Sequence, residues 1–229
     1  MTANTSSGAS SSSGSPNEGS RRIFNISNSK LMATPMEVGA KLSKNVNGEK
    51  VDPTPFKILV GCIRYLTCTR SDILFSVRII SRFKEVPMME HMKATKRILR
   101  YFKGTIYFGL LYSSSKEFQL VGYSDSDFAK DIDDRKSTTG FVFFMGCNAI
   151  SWSSKKQAII SLPSCETEYV AMTSCICHKI WLRRMLKKIS LSKNKATTIF
   201  VDNKSAQALT KNHVFHDRSK HIDTHYHFI

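Results

Sequence analysis

Three acidic residues have the types and surroundings that a nuclease metal site needs. Asp125 ends the strand-like run FQLVGYSD, Glu168 lies in the first turns of a helical stretch, and Asp202 ends the strand-like run TTIFVD. Acids at the ends of neighbouring strands and on a helix that covers them can converge on one point. Converging carboxylates repel unless a cation lies between them, and oxygen ligands favour Mg²⁺ or Mn²⁺. Solvated acids at strand ends are common, so spacing alone leaves that alternative open.

The charge of the chain favours a polyanionic partner. Across 229 residues the formal net charge is +16, and hydrophobic residues make up 41% of the sequence, which is enough for a buried core. Between residues 57 and 103, 11 Lys and Arg stand against only three acids. A basic patch of this kind is the electrostatic signature of nucleic-acid binding. A basic surface that merely keeps the protein soluble is the alternative.

One predicted helix concentrates this charge on one side. After Pro87, apolar residues recur at helical spacing, and the opposite side carries a row of cations: Lys93, Lys96, Arg97, Arg100 and Lys103. No acid interrupts the row after Glu90. The pattern predicts contact with phosphates, although a solvated helix face would look the same.

The cysteines and the hydropathy exclude several classes of protein. The six cysteines show no paired metal-binding spacing, and Cys175, Cys177 and His178 would diverge on a helix, which favours core packing over a metal site. The sequence has no signal peptide and no run approaching 18 apolar residues. We therefore expect an intracellular protein of the cytoplasm or nucleus, with reduced thiols and no membrane contact.

The order of patterns along the chain predicts an α/β fold. Residues 1–30 form a serine-rich leader that we expect to be disordered, and residues 31–55 resemble an extended connector. Helical periodicity follows from residue 56 to residue 103. Beyond it, the pattern predicts strands at 118–123, 140–145 and 149–153, turns at 146–148 and 154–156, a helix at 164–188, a strand at 197–201 and a helix at 205–211. This order is typical of a mixed sheet with helices.

Several collinear motifs resemble the end of the Pol polyprotein of copia-type retrotransposons. LVGCIRYLTCTRSDILFSV and HMKATKRILRYFKGT are similar to the C-terminal part of the reverse transcriptase, and GYSDSDFAKDIDDRKSTTGF, SCETEYVAM and VDNKSAQAL are similar to the ribonuclease H domain that follows it. The resemblance implies a small helical reverse-transcriptase region at 31–112 and a ribonuclease H-like mixed sheet with helices at 118–229. It also implies hydrolysis of the RNA strand of RNA–DNA hybrids by two-metal catalysis.

The resemblance assigns roles to the acids residue by residue. Asp125 matches the metal ligand of the first strand, Glu168 matches the helix carboxylate, and Asp202 matches the acid that ends the fourth strand, so all three are implied as catalytic and as ligands of Mg²⁺ or Mn²⁺. Asp127 and Glu166 are near misses. Glu166 lies two helical positions from Glu168 and should therefore face away from it.

Recognition of a hybrid duplex relies on backbone and 2′-hydroxyl contacts rather than on base edges. Polar and cationic turns suit that task, and we expect contributions from Arg135, Lys136 and Ser137 and from the turn at residues 153–156. Ordinary hairpin chemistry would explain the same residues equally well.

The chain also departs from the family pattern. Arg70-Ser71-Asp72 stands where the family has Arg-Pro-Asp, and the reverse-transcriptase palm with its paired aspartates is absent. Family members continue into a fifth strand and a final helix that carries a fourth metal-site Asp, whereas this sequence ends at residue 229, with Asp223 as a possible substitute. We therefore expect weak or no cleavage. The alternative is a non-catalytic, basic nucleic-acid-binding remnant of a retrotransposon polyprotein that binds a hybrid or another duplex.

Overall fold

The computed structural model describes residues 29–44, 48–114, 119–191 and 196–211. Apart from its last two residues, the predicted leader lies outside these ranges, as does Asp223. The described helices are α1 (Pro53–Leu66), α2 (Leu74–Ile80), α3 (Met89–Gly104), α4 (Ser164–Lys188) and α5 (Lys204–Lys211). The strands are β1 (Leu120–Ser126), β2 (Thr138–Met145), β3 (Asn148–Lys156) and β4 (Thr198–Phe200).

The first three helices form a small core of their own. Helix α1 begins where the side chain of Asp52 accepts a hydrogen bond from the backbone N–H of Thr54, with a proline at the first helical position. Its apolar side packs against α2 and α3, as the helical spacing predicts. The buried cluster comprises Phe56, Leu59, Val60, Ile63, Ile73, Val77, Ile80, Met92, Ile98 and Tyr101.

The turn between α1 and α2 is fixed by side chains. Arg70 is only 5% exposed, and its guanidinium donates to Asp72 at 2.7 and 2.9 Å and to the carbonyl of Thr105 at 2.9 Å. The hydroxyl of Tyr101 also donates to Asp72, at 2.8 Å. These bonds tie the turn to the end of α3, so the geometry does not depend on a proline in the turn.

The four strands form one mixed sheet in the order β3-β2-β1-β4. Strand β1 is antiparallel to β2, β2 is antiparallel to β3, and β4 is parallel to β1, with Tyr123 opposite Phe200. The α/β class with a mixed sheet is therefore confirmed. The predicted turn at residues 154–156 is wrong, because β3 continues to Lys156, which pairs with Thr138.

Helix α4 covers one face of the sheet. Leu120, Phe143, Cys175 and Leu182 form the buried contact. Gly122 leaves room for the ring of Phe143, its partner on β2, because a Cβ at this position would lie 2.7 Å from that ring. Helix α5 packs on α4 through a second cluster that includes Tyr169, Met172 and Leu209.

The helical part also contacts the sheet. The indole N–H of Trp152 on β3 donates to the carbonyl of Thr67 at 3.0 Å, and Arg82 reaches the loop between β1 and β2. Whether residues 31–112 and 118–229 are separate domains remains a prediction. Among the described residues, none of the helices has both the length and the apolar character that crossing a membrane requires.

Candidate metal centre

The three acids singled out from the sequence lie together in the structure. Asp125 is the penultimate residue of β1, Glu168 is in the second turn of α4, and Asp202 follows β4 by two residues. Because β4 runs parallel to β1 and beside it, both acids arrive at the same edge of the sheet. One carboxylate oxygen from each of the three lies within 4.8 Å of the other two. We call these three residues the metal cluster.

Glu168 is the buried member of the metal cluster. Glu168 is 7% exposed, and its Oε1 accepts a hydrogen bond from the backbone N–H of Ser126 at 3.1 Å. Burial, together with the negative charges of Asp125 and Asp202, raises the pKa of Glu168 to about 7. The site thus strongly disfavours three simultaneous negative charges.

The geometry of the metal cluster fits a hard divalent cation. Oε2 of Glu168 is buried and has no hydrogen-bond partner among the described residues, whereas Asp125 and Asp202 are exposed towards solvent. Bonds of about 2.0–2.1 Å in an octahedral Mg²⁺ site correspond to ligand oxygens roughly 2.9–4.2 Å apart. The observed spacing needs little closure to reach that range. An ion would also supply the positive charge that the three carboxylates lack.

The two near misses lie outside the metal cluster. Neither Asp127 nor Glu166 joins the metal cluster, the single group of three or more such side chains with metal-binding spacing in the described part of the chain. One oxygen of Asp127 accepts from the backbone N–H of Thr138, and burial raises the pKa of the Asp127 carboxyl. Glu166 is itself buried, at 5% exposure.

The prediction of core packing is correct for Cys175 but wrong for Cys177, which is exposed. Cys175 is fully buried in the core under α4, and burial raises the pKa of its thiol to about 12. Cys177 is exposed, and His178 lies against Phe141 and Phe143 while its Nε2 meets the hydroxyl of Ser151 at 2.7 Å. The three side chains therefore have separate surroundings.

The predicted phosphate-binding face of α3 is only partly exposed. Lys93 and Lys103 are exposed, whereas Lys96, Arg97 and Arg100 are half-buried. The guanidinium of Arg97 donates to the hydroxyl of Thr34 at 3.0 Å. Contact between this face and nucleic acid stays a prediction, with the two exposed lysines as its most accessible members.

The loop between β1 and β2 uses its predicted residues unequally. Arg135 is exposed and Lys136 is half-buried, so both remain candidates for a nucleic-acid contact. Ser137 is 2% exposed, and its hydroxyl accepts a hydrogen bond from the backbone N–H of Ala129 at 2.9 Å. Ser137 therefore holds the loop in this conformation and is not accessible to a ligand.

Sequence reasoning missed a cluster of ion pairs in the same loop. The carboxylate of Asp131 contacts Arg82 at 2.7 Å and Lys156 at 2.6 Å, and Lys156 also contacts Asp134 at 2.8 Å. Burial disfavours the charge of Asp131, but the hydrogen bond and charge of Lys156, supported by Arg82, lower its pKa to about 2. We call these four residues the Asp131 clamp. Lys156, predicted to contact a hybrid, is committed to it.

A cleft of about 860 Å³ begins at the metal cluster. Asp125 and Asp202 lie on its lining, which continues past Tyr123 and Phe200 towards Phe75 of α2. The rings of Tyr123 and Phe200 stack with their centroids 5.1 Å apart and are about half exposed. The cleft thus brings an exposed aromatic surface beside two of the three acids.

Comparison with known proteins identifies relatives along nearly the whole chain. The chain is 41% identical over 213 residues to the retrovirus-related Pol polyprotein from transposon TNT 1-94 of Nicotiana tabacum, and the match covers 90% of the chain and 16% of the polyprotein. It is 38% identical over 205 residues to that from transposon RE1 of Arabidopsis thaliana, covering 90% of the chain and 14% of the polyprotein.

A shorter relative matches over most of its own length. Secreted RxLR effector protein 161 of Plasmopara viticola is 40% identical over 129 residues, which covers 56% of this chain and 91% of that protein. No protein-family model matches the chain. These similarities support a fragment of a retrotransposon Pol polyprotein, and the chain spans 14–16% of the length of the two polyproteins compared.

Proposed function

We propose that the chain is a ribonuclease H-type region of a copia-type retrotransposon Pol polyprotein, which hydrolyses the RNA strand of RNA–DNA hybrids with Mg²⁺ or Mn²⁺. The observation that carries the proposal is the convergence of three carboxylates from β1, α4 and the end of β4 within 4.8 Å. The mixed sheet with three antiparallel strands and a parallel fourth strand is compatible with a ribonuclease H-like fold. The Pol relatives support the retrotransposon origin.

In this proposal the acids of the metal cluster have different tasks. Glu168, buried and bonded to the N–H of Ser126, anchors the site from the helix side. Asp125 and Asp202 are exposed and line the cleft, so they face the side from which a substrate approaches. Bound divalent ions would activate water and stabilise the charge that develops on the leaving oxygen. Asp125→Asn or Asp202→Asn removes one of the exposed ligands without altering side-chain size.

A cleavage assay with matched substrates tests the proposal. A hybrid with end-labelled RNA, duplex RNA, duplex DNA and a hybrid with labelled DNA would be incubated with the 229-residue chain in Mg²⁺, Mn²⁺ or EDTA. We expect any cleavage by this chain to be weak, to depend on the cation and to be confined to the RNA strand of the hybrid. Loss of one electrostatic contact of this kind costs on the order of 10²–10³ in rate, so Asp125→Asn should remove the signal. Cleavage that persists in Asp125→Asn would contradict the proposal.

A second candidate function is binding of a duplex without cleavage. The exposed Lys93 and Lys103 on α3, within the strongly basic stretch, favour it. Binding measured in EDTA separates the two functions, because contact with phosphates does not require the metal cluster. Asp125→Asn should leave such binding intact while abolishing cleavage.

A further inference from the structure

Gln157 lies behind the metal cluster and contacts both elements that meet there. The residue follows β3 directly and is 6% exposed. Its backbone N–H donates to the carbonyl of Ser137 at 2.8 Å, which fixes where its side chain starts. The side chain then extends between the end of β1 and the first turn of α4.

One amide group joins the chain neighbours of two of the acids. Nε2 of Gln157 donates to the carbonyl of Thr167 at 2.9 Å and lies 3.2 Å from the hydroxyl of Ser126. Thr167 precedes Glu168 in the chain, and Ser126 follows Asp125. A third contact, of 3.1 Å, reaches the hydroxyl of Thr139 on β2. The amide therefore spans the seam between strand and helix at the point where their carboxylates converge.

The attachment of α4 to β1 changes character along the helix. Towards the start of β1 the contact is apolar and includes Leu120, Cys175 and Leu182. Near the acids, hydrogen bonds link the two elements and centre on Ser126, whose N–H donates to Glu168 and whose hydroxyl accepts from Gln157. Three facing carboxylates push strand and helix apart at this end, and hydrogen bonds across the seam oppose that separation.

Gln157 keeps this position although part of its amide is unsatisfied. Its Oε1 is buried and has no hydrogen-bond partner in the described ranges. An apolar side chain of similar length would remove this unpaired atom, but it would also leave the carbonyl of Thr167 and the hydroxyls of Ser126 and Thr139 without their donor, which lowers the stability of the fold.

We propose that Gln157 is a positioning residue that holds the helix carrying Glu168 against the strand carrying Asp125, so that the two carboxylates stay within reach of one divalent cation. The inference rests on the proposed metal-dependent function. It predicts that a folded variant without the amide binds the cation more weakly than the wild-type chain. Substitutions that disturb groups around metal ligands typically reduce metal affinity 10- to 100-fold.

Titration of the full chain with Mn²⁺, followed by electron paramagnetic resonance of the free ion, measures the affinity without any substrate. Gln157→Met removes the amide and keeps the length of the side chain. Ser126→Ala removes the hydroxyl at the other end of the bridge and serves as a second variant if Gln157→Met fails to fold. Thr95→Val is the matched control, because Thr95 is fully buried in the helical part and its hydroxyl donates to the carbonyl of His91 at 2.8 Å. Thermal unfolding of each variant in EDTA reports stability.

We expect Gln157→Met to weaken Mn²⁺ binding about tenfold, with Ser126→Ala changing it in the same direction and Thr95→Val leaving it unchanged. If the wild-type chain binds Mn²⁺ and Gln157→Met binds it equally tightly, the positioning role is overturned and the proposed function stays intact. Weakening of similar size in Thr95→Val would also overturn it, because it would reflect general destabilisation. Absence of Mn²⁺ binding by the wild-type chain would overturn the proposed function itself.

Discussion

The metal cluster and the Asp131 clamp each centre on one carboxylate, but the pKa values of these two carboxylates shift in opposite directions. In the clamp, Arg82 and Lys156 surround Asp131 and lower its pKa to about 2. In the metal cluster, Glu168 faces two further acids, and its pKa rises to about 7. One acid is neutralised by the protein, whereas the others lack a counter-charge among the described residues.

This difference separates an acid that stabilises the fold from acids that, in the proposed function, bind a cation. The clamp joins Arg82 of the helical part to the loop and to β3, so its charges are matched within the chain. Carboxylates that have no counter-charge within the protein lower its stability. Such groups are expected at functional sites. The comparison predicts that mutations in the two clusters change stability in opposite directions.

Breaking the clamp should produce the larger effect on stability. Asp131→Asn leaves the partly buried Arg82 without its counter-charge and leaves Lys156 with Asp134 alone. We expect a loss of about 3 kcal/mol in the free energy of unfolding, measured by urea denaturation. Glu85→Gln is the control, because its ion pair with Lys57 is exposed and contributes little. Equal losses in the two variants would contradict the role of the clamp.

Removing an acid of the metal cluster should not lower the free energy of unfolding when no cation is present. Asp202→Asn removes one repelling charge, so in EDTA the free energy of unfolding should stay the same or rise, by less than about 1 kcal/mol. The wild-type chain should gain about 1.4 kcal/mol when Mg²⁺ is raised to ten times its dissociation constant, and Asp202→Asn should not. Parallel denaturation curves in EDTA and Mg²⁺ check both statements. Destabilisation of Asp202→Asn in EDTA would mean that the acid is structural.

The two clusters should also respond to different pH ranges. The folded-state pKa of Glu168, about 7, lies above its ordinary value of 4.5, so the folded protein binds more protons between these values and loses stability as the pH rises through them. For Asp131 the folded-state pKa of about 2 lies below the ordinary 3.8, so its contribution is present above pH 3.8 and is lost as the pH falls towards 2. Thermal unfolding across pH 2–8 in EDTA tests both signs. Glu168→Gln should flatten the upper range alone, and an unchanged slope would contradict the assignment.

The smallest effect should come from the surface of α3. The logarithm of the duplex-binding constant falls linearly with the logarithm of the salt concentration. Replacing Lys93 and Lys103 by Gln should reduce the magnitude of this slope by about 1.8, if each lysine neutralises one phosphate. Arg97→Gln should change the salt dependence less, because Arg97 is half-buried whereas both lysines are exposed. Binding isotherms at several salt concentrations in EDTA give the slopes. An unchanged slope in the double-lysine variant would mean that this face is only solvated.

The elements that position the site could be predicted because they depend on local patterns. The alternation before Asp125, the helical spacing around Glu168 and the apolar run before Asp202 each show in a short window of sequence, and the structure brings the three acids together. The Asp131 clamp could not be predicted in this way. Asp131 and Arg82 are 49 residues apart, and no periodic pattern indicates which cation will reach which acid.

The error at the end of β3 has a related cause. The residues Ser154, Lys155 and Lys156 have the composition of a turn, but pairing with β2 and the ion pairs of Lys156 keep them in the strand. Tertiary contacts override weak local preference at such positions. The importance of Gln157 was hidden for the same reason, because its contacts come from β1, β2 and α4.

The most direct test of the central claim is the location of a divalent ion in the protein. Crystals soaked in Mn²⁺, with data collected at the manganese absorption edge, reveal the ion by its anomalous scattering. We expect at least one peak about 2.0–2.6 Å from carboxylate oxygens of the metal cluster, with Oε2 of Glu168 among the ligands. The peak should be absent from crystals of Asp125→Asn treated in the same way. Mn²⁺ bound elsewhere, with no peak among Asp125, Glu168 and Asp202, would contradict the claim.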